Sequence, residues 1–143
     1  TAPFGGNCNG LFFGSGSTLR TEDSAPMVAA NIIGDVKIDG GSMKLNSGSV
    51  GSLKISGSLD LNGSLWITVD FTGSLNCDRI EVTGVLKLAG TLSIDRIGTY
   101  QPAKSFSILS GATNRIGQFG SITLPINENY TAVYLAGGMD VKS

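Results

Sequence analysis

The residues of this chain that could do chemistry are acids and bases without a histidine. The sequence contains eleven Asp and Glu residues, ten Lys and Arg residues, and no His. The missing imidazole removes the commonest general base, the Ser-His-Asp triad and the commonest metal ligand. The remaining candidates for catalysis or metal binding are carboxylates. Asp60 and Asp70 are spaced so that both side chains would point outward from their predicted strands. Such a pair could cleave a glycoside or hold Ca²⁺.

Solvated surface acids are the simpler interpretation of Asp60 and Asp70, since acids on the outer face of a sheet are usually exposed. Asp78-Arg and Asp95-Arg each follow a predicted strand, where an Asp accepts backbone N–H bonds and turns the chain. The Gly-Gly-x-Gly-x-Asp calcium repeat is not present in the sequence. We therefore expect no catalytic residue, no metal site and no cofactor, and we rank an enzyme third among the function classes.

Trp66 is the residue whose position argues most directly for recognition. Leu65 and Ile67 are predicted to point inward, so the only tryptophan should lie on the outer face, flanked by Lys54 and Asp60 on preceding units. An exposed indole on a flat β surface predicts a sugar platform or a protein interface. Coverage by the N-terminal segment or by a loop is the alternative.

These side chains belong to a repeat, Gly-x-Leu-x-(Leu/Ile)-x, that runs from residue 51 to residue 95. Two apolar side chains two residues apart indicate a strand with one buried face, and the glycine suits a corner with positive φ. Strands of about three residues need stacking on successive turns to bury a continuous core. The sequence therefore predicts an all-β fold, a single-stranded β-solenoid with N- and C-terminal caps. The repeat units begin at Gly51, Gly57, Gly63, Gly73, Gly84 and Gly90.

Parity along the repeat divides the side chains between core and surface. The uneven intervals between Gly63, Gly73 and Gly84 favour a right-handed coil of roughly 18 to 22 residues per turn, with the strictly hexapeptide left-handed form as the alternative. The residues predicted to point inward are Leu53, Ile55, Leu59, Leu61, Leu65, Ile67, Val69, Phe71, Leu75, Cys77, Ile80, Val82, Leu86, Leu88, Leu92 and Ile94. Those predicted to point outward are Lys37, Lys44, Lys54, Asp60, Trp66, Thr68, Asp70, Asn76, Glu81, Lys87 and Ser93.

We predict one domain over residues 1–143, with an N-terminal cap at 1–33, the coil at 34–97 and C-terminal strands and cap at 98–143. The first segment has apolar residues between glycine-rich turns, and an open solenoid end needs such a cover. A short helix beginning near Ser24 and an extended strand leading into Ile33 both suit this segment.

The C-terminal segment has longer alternating strands separated by Asn, Gly and Pro. This pattern predicts a hairpin-like cap packed on the last turn. Phe119, Tyr130 and Tyr134 are large enough to close that end as core aromatics, with sugar stacking as the alternative role.

The spacing of glycine and apolar residues from Gly51 onward resembles the C-terminal β-helix part of bacterial autotransporter passenger domains and related secreted surface and wall proteins. The likeness covers about two-thirds of the chain and rests on residues 59–69, 78–94, 106–109, 117–119 and 134–141. It implies a β-helix fold, and it carries no catalytic signature. The two cysteines and two glycosylation sequons of this chain depart from such passengers.

Cys8 and Cys77 form an even pair in a chain of export-like composition. A disulfide between them would tie the N-terminal cap to the coil and contribute roughly 4 kcal/mol by the chain-entropy argument. The alternative is a reduced Cys77 in the core. Asn62-Gly-Ser and Asn129-Tyr-Thr fit the N-glycosylation rule. Together these features favour a secreted, extracellular protein.

Composition and charge limit the classes of partner that we expect this protein to bind. A net charge of −1 with 15% charged residues gives no electrostatic case for nucleic acid or an anionic membrane. No apolar run approaches the roughly 18 residues of a membrane span. We expect an extracellular structural protein of a wall, fibre, sheath or surface appendage that joins head to tail through uncharged edge strands at Ile108 and Val133. The alternative is a glycan-binding module that binds polysaccharide through Trp66.

Overall fold

The computed structural model describes residues 11–14, 16, 18–20, 29–45, 50–73 and 76–143. Over these ranges the chain is all-β and contains no helix. Alternation of apolar and polar side chains along each segment favours strands that bury one face. In chain order the strands are β1 (Leu11–Phe13), β2 (Thr18–Arg20), β3 (Ala29–Ile33), β4 (Val36–Lys44), β5 (Ser52–Ser56), β6 (Leu59–Asp70), β7 (Asn76–Cys77), β8 (Arg79–Val82), β9 (Val85–Ile97), β10 (Ser105–Ser110), β11 (Asn114–Gly117), β12 (Ser121–Thr123), β13 (Thr131–Leu135) and β14 (Gly138–Lys142).

The strands form two sheets. Sheet A has the order β1-β4-β6-β9-β11, with β2 also on β4, β12 also on β9 and β7 on β6. Sheet B has the order β13-β14-β10-β8-β5-β3. Pairing is parallel except for β7 on β6 and for β14, which is antiparallel to both β10 and β13. The chain alternates between the sheets as it coils, which confirms the predicted β-solenoid. The right-handed sense stays a prediction.

Each turn is longer than the sequence analysis predicts. Leu59 pairs with Val36 on the preceding turn and with Leu86 on the following one. Leu86 pairs in the same way with Arg115 on the next turn. Every one of these intervals exceeds the predicted length of a turn. The prediction is wrong because two successive hexads join end to end in one long strand, as in β6 and β9, and loops between the sheets lengthen the turn further.

The predicted inward positions are confirmed. All of them that lie in the described residues are buried, from Leu53 on β5 to Ile94 on β9, and Leu75 lies outside those residues. Burial of side chains from both sheets makes one continuous core along the coil. The C-terminal strands add Phe106, Met139 and Val141 to the same core.

Two of the predicted outward positions are buried instead. Thr68 is 6% exposed because its backbone N–H and carbonyl both bond Asp78, which brings the segment after β7 over it. Ser93, also 6% exposed, is a small side chain in register between the larger Trp66 and Thr123 on the adjacent strands. Parity gives the face of the sheet, but burial on that face depends on neighbouring side chains.

Stacked backbones explain the repeat glycines at two sites. A Cβ on Gly63 would collide with the carbonyl oxygen of Gly41 on the preceding turn, and a Cβ on Gly57 would collide with that of Gly34. Neither Gly57 nor Gly63 has a positive φ, so the corner argument is wrong for them. Gly90 does have the predicted positive φ, at 78°, and it also lies against Gly63.

The described N-terminal strands continue the coil. Within the predicted cap at 1–33, β1 and β2 pair in parallel with β4, and β3 pairs in parallel with β5. The segment leading into Ile33 is a strand over Ala29–Ile33, and the start of the predicted helix at Ser24 lies outside the described residues.

The C-terminal end combines more coil with a hairpin. Parallel pairing continues beyond the predicted coil limit at residue 97, because β10 pairs with β8, and β11 and β12 pair with β9. The last two strands then reverse, since β14 is antiparallel to β10 and β13 is antiparallel to β14. A hairpin is therefore present at this end, but it consists of β13 and β14 alone, and the predicted cap segment from residue 98 is parallel coil as far as β12.

Candidate interaction surfaces

Trp66 lies on the outer face of sheet A, as the sequence predicts. Its neighbours Leu65 and Ile67 are buried, while the indole is 39% exposed. In the parallel register Trp66 stands between Lys44 on β4 and Ser93 on β9. The Lys44 Nζ is 5.3 Å from the centroid of the indole ring, a distance at which a cation–π interaction holds the ring in place.

The residues predicted to flank Trp66 are elsewhere. Lys54 lies on β5 in sheet B, where its Nζ is 3.8 Å from the Glu81 carboxylate. Asp60 lies on β6 but well before Trp66 along the strand, in register with Lys37 and Lys87. Lys44 is the flanking residue that sequence reasoning missed. A correct turn length would have found it, since Lys44 and Trp66 occupy the same position on successive turns.

A row of hydroxyl side chains runs along the coil beside Trp66. Ser42, Ser64, Thr91 and Ser121 are in register on β4, β6, β9 and β12. Each follows a glycine, at positions 41, 63, 90 and 120. The Oγ1 of Thr91 and the Oγ of Ser121 are 2.9 Å apart and hydrogen bonded. We refer to these four residues as the hydroxyl row.

The predicted edge at Val133 coincides with an edge strand. β13 is the last strand of sheet B, and it pairs only with β14 among the described strands. Val133 is half-buried at the centre of β13, opposite Asp140 on the outer face. The Oδ1 of Asp140 is buried and has no hydrogen-bond partner within the described ranges.

The predicted edge at Ile108 is wrong. Ile108 is 1% exposed and lies on β10, which has β14 on one side and β8 on the other. Alternation in the sequence shows that residues 106–109 form a strand, but it does not reveal that β14 returns to lie beside them. Ile108 is therefore a core residue.

Aromatic and cationic side chains close the C-terminal end of the core. The Phe119 backbone N–H donates to the Tyr134 hydroxyl at 3.1 Å. The Arg115 guanidinium carbon is 5.1 Å from the centroid of the Tyr134 ring, and its Nε donates to the Leu135 carbonyl oxygen at 2.8 Å. Phe119 is buried and Tyr134 packs against the core, so both take the predicted core role.

The third predicted aromatic, Tyr130, is buried in a polar network. Its hydroxyl donates to Glu128 at 2.8 Å, and Glu128, itself 8% exposed, also accepts from Arg96. Burial and the Glu128 carboxylate raise the pKa of Tyr130. The Tyr100 ring meets the Tyr130 ring edge-on, with centroids 5.5 Å apart. This network fixes the loop between β12 and β13.

The acids considered for catalysis lie apart from one another and make different contacts. The Asp70 Oδ1 accepts from the backbone N–H of Thr72 at 2.7 Å, while Asp60 lies beside lysines on another part of β6. Asp95 is exposed within β9 and does not form the predicted corner. Over the described part of the chain no group of three His, Cys, Asp or Glu side chains could hold a metal ion.

Asp78 does act at a corner, as predicted. Its Oδ1 accepts from the Gly51 N–H and its Oδ2 from the Thr68 N–H, both at 2.7 Å, which joins two successive turns. The side chain is 1% exposed. Burial raises the pKa of Asp78 to about 6, and the two backbone N–H groups offset part of that rise.

Cys77 is a free, buried thiol, which is the alternative considered in the sequence analysis. Its Sγ lies 3.5 Å from the Ser107 carbonyl oxygen, to which the thiol donates. Burial raises the pKa of Cys77 to about 11, so the thiol is protonated at neutral pH. The predicted bridge is not shown, and Cys8 lies outside the described residues.

Both sequon asparagines are exposed. Asn62 lies within β6, where its Nδ2 donates to Asp39 at 3.3 Å. Asn129 lies in the loop before β13, and its backbone carbonyl accepts from the Tyr100 hydroxyl at 2.9 Å. The amide of each side chain is thus on the surface, where a glycan needs it to be.

Comparison with known proteins gives no family assignment. No protein-family model matches the chain, and no curated protein matches it. The β-solenoid agrees with the fold implied by the resemblance to autotransporter passengers and wall proteins, and a family relationship stays a prediction. No helix in the described ranges has the length and apolar character that crossing a membrane requires.

Proposed function

We propose that the chain is an extracellular structural protein whose copies join through the open edge of sheet B. The observation that supports this proposal is β13, a terminal strand whose five residues carry no charge and include no proline. Natural sheets defend their edges with charged residues, proline, bulges or covering segments. The Leu135 carbonyl oxygen accepts from Arg115, and the backbone groups of β13 that neither Arg115 nor β14 pairs offer hydrogen bonds to a further strand.

The strand directions suit a head-to-tail contact. Two antiparallel steps, from β10 to β14 and from β14 to β13, return β13 to the direction of β10 and of β3. Among the described strands β3 is the last of sheet B on the opposite side, and it is also five residues long. Parallel pairing of β13 with β3 of a second copy would therefore continue sheet B, and such a heterologous contact repeats into an open fibre.

The surface near this end is apolar, which favours association that is insensitive to salt. Ile116 on β11, Ile122 on β12 and Leu135 on β13 are 49%, 36% and 44% exposed. Sheet B extends one strand further than the five-strand path of sheet A, so β13 reaches a neighbouring molecule first. Burial of these side chains adds a hydrophobic contribution that screening by salt does not weaken.

An extracellular location is part of the proposal. It is supported by the exposure of the two sequon asparagines, Asn62 and Asn129, and by the low content of charged residues. Enzymatic deglycosylation followed by mass measurement of the secreted protein tests this part. A mass unchanged by the treatment would argue against the sequons as modification sites.

Self-association is tested with two lysine substitutions that each place a cation beside an acid. Val133→Lys places the lysine ammonium on the edge strand β13, opposite Asp140. Ser110→Lys is the matched control, because Ser110 is exposed on the interior strand β10, in register with Glu81. We expect wild type and Ser110→Lys to form larger species as concentration rises in light scattering and sedimentation, and Val133→Lys to stay monomeric.

Two results would contradict the proposal. One is a wild-type protein that stays monomeric at high concentration across a range of salt. The other is equal association of the wild type and the Val133→Lys variant. Circular dichroism of each variant confirms that the fold is retained, and electron microscopy distinguishes open fibres from closed dimers.

Glycan binding is the second candidate function. The exposed Trp66, with hydroxyl side chains on both neighbouring strands, favours it. Titration of the protein with soluble oligosaccharides, followed by the fluorescence of its single tryptophan, tests this candidate directly.

A further inference from the structure

We infer that the Trp66 face binds a neutral, linear polysaccharide whose chain runs along the coil. The inference rests on glycan binding, the second candidate function, and is independent of self-association. It adds the charge class of the glycan, its linear form and its direction on the protein, none of which the presence of an exposed tryptophan alone determines.

The direction comes from the hydroxyl row. Its members lie on consecutive strands of sheet A, so they are spaced by the strand separation of about 4.8 Å, close to the length of one pyranose unit. Ser42, Ser64, Thr91 and Ser121 therefore offer a hydroxyl at each step of a sugar chain that crosses the strands. A hydroxyl both donates and accepts hydrogen bonds, as sugar hydroxyls do.

The position of Trp66 determines where the polysaccharide would lie relative to the hydroxyl row. Ser64 and Trp66 are two residues apart on β6 and point to the same side of sheet A. The indole therefore offers apolar surface to a sugar ring whose hydroxyl edge meets the row. Lys44 orients the indole and places an ammonium donor next to it.

Charge on this face favours a neutral ligand. Lys44 is engaged with the indole ring, and the exposed Asp95 on β9 carries the opposite charge two residues after Ser93. The same face also carries Lys37, Lys87, Asp39 and Asp60, so these three cations and three anions give no preference for an acidic or a basic glycan. Hydroxyl side chains, Asn62 and one aromatic ring lie among them.

The test measures affinity by calorimetry against defined oligosaccharides. It uses the deglycosylated Val133→Lys variant, so that neither self-association nor a glycan on Asn62, two residues before Ser64 on β6, contributes to the signal. The neutral probes are β-linked glucose and N-acetylglucosamine oligomers of two to six units, and the charged probes are polygalacturonate and heparin. We expect binding of a neutral series, with affinity that rises from the dimer to about the tetramer as successive members of the hydroxyl row are engaged. Tryptophan fluorescence should shift on binding.

Three substitutions locate the site. Trp66→Ala should weaken binding by about 30-fold or more, as removal of a central aromatic contact does. Thr91→Val keeps the shape of the side chain but loses its hydroxyl, and should cost roughly 2-fold to 10-fold. Lys54→Ala, on sheet B, is the control and should bind like the parent.

The outcomes separate the inference from the function it rests on. Binding to polygalacturonate or heparin alone would overturn the neutral class while leaving glycan binding in place. Equal affinity for dimer and hexamer, or an unchanged affinity in Thr91→Val, would overturn the direction along the row. Absence of binding to every probe would overturn both the inference and the candidate function.

Discussion

Between β4 and β9 every side chain that the repeat predicts to point inward is buried where the structure describes it. At the C-terminal end, burial of an inward side chain also depends on the position of its strand in the sheet. Leu65 on β6 and Leu92 on β9 are inward and fully buried. Ile122 is in register with Leu92 and yet is 36% exposed, because β12 has no strand beyond it among the described residues. The same parity thus gives core in the middle and apolar surface at the end, which is where association is expected.

The largest expected effect tests this difference with a lysine inside the sheet. Ile108→Lys places a cation in a side chain position that is 1% exposed and has strands on both sides. A buried charge without a partner is among the most destabilising changes known, so we expect a loss of more than about 4 kcal/mol and an unfolded chain. Circular dichroism at room temperature and a thermal scan measure it. A cooperative transition near that of wild type would show that β10 is more accessible than the structure indicates.

The next effect tests the stacking of the repeat glycines. Gly63→Ala forces a Cβ against the Gly41 carbonyl and the Ile38 side chain, and we expect a loss of about 3 kcal/mol or more. Gly73→Ala is the matched control: Gly73 has a positive φ of 61° but open space around it, so only the backbone strain of about 1 kcal/mol is expected. Urea unfolding of both variants gives the comparison. Equal losses would mean that close backbone approach does not constrain position 63.

The fold and the core can be predicted from the sequence alone, because the repeat pattern determines both the strands and the side chains that point inward. Each Gly-x-Leu-x-Leu unit contains its own strand and its own inward face, and no distant residue is needed to assign Leu59 or Leu86. The turn length could not be predicted, because it depends on loops whose lengths vary from turn to turn. That error placed Lys54 beside Trp66 instead of Lys44.

The edge strands could be predicted only in part, for a related reason. An uncharged alternating segment has the same sequence pattern at an edge and in the interior, which is why Val133 and Ile108 looked equivalent. The antiparallel return of β14 separates them, and nothing local to residues 106–109 encodes that return. The burial of Thr68 was missed in the same way, because the Asp78 segment that covers it comes from beyond β6.

A smaller effect depends on pH and tests the middle of the coil, where Asp78 joins two turns. Its pKa is about 6 in the folded state and near 4 in an unfolded chain, so protonation favours the fold. This contribution to stability is fully present below about pH 4 and is lost as the pH rises through 6. The free energy of unfolding should therefore fall by roughly 1.4 kcal/mol between pH 5 and pH 7.

The control for this prediction is Asp78→Asn, which does not titrate. Urea unfolding at several pH values should show the wild type losing stability from pH 5 to pH 7 relative to the variant. A constant difference between them would mean that Asp78 is already ionised in the fold at pH 5. In that case the N–H groups of Gly51 and Thr68 would outweigh the effect of burial on its pKa.

The smallest expected effect on stability is that of Val133→Lys, the same substitution at the open end of the same sheet. Val133 is half-buried and its side chain lies on the outer face, opposite Asp140, whose Oδ1 is buried without a hydrogen-bond partner in the described residues. A lysine there loses some apolar burial but gains an opposite charge across the strand pair, a gain of about 0.2–1 kcal/mol. We therefore expect a net change within about 0.5 kcal/mol of wild type, measured by urea unfolding at a concentration where both proteins are monomeric.

The control for the edge substitution is Val133→Gln, which lacks the charge and should be the less stable of the two variants. A loss above about 2 kcal/mol in Val133→Lys would place position 133 in the core, since surface substitutions rarely cost that much. The variant would then report on folding instead of on the edge. A fold that tolerates lysine at 133 but not at 108 would show that the two uncharged strands differ only in what lies beside them.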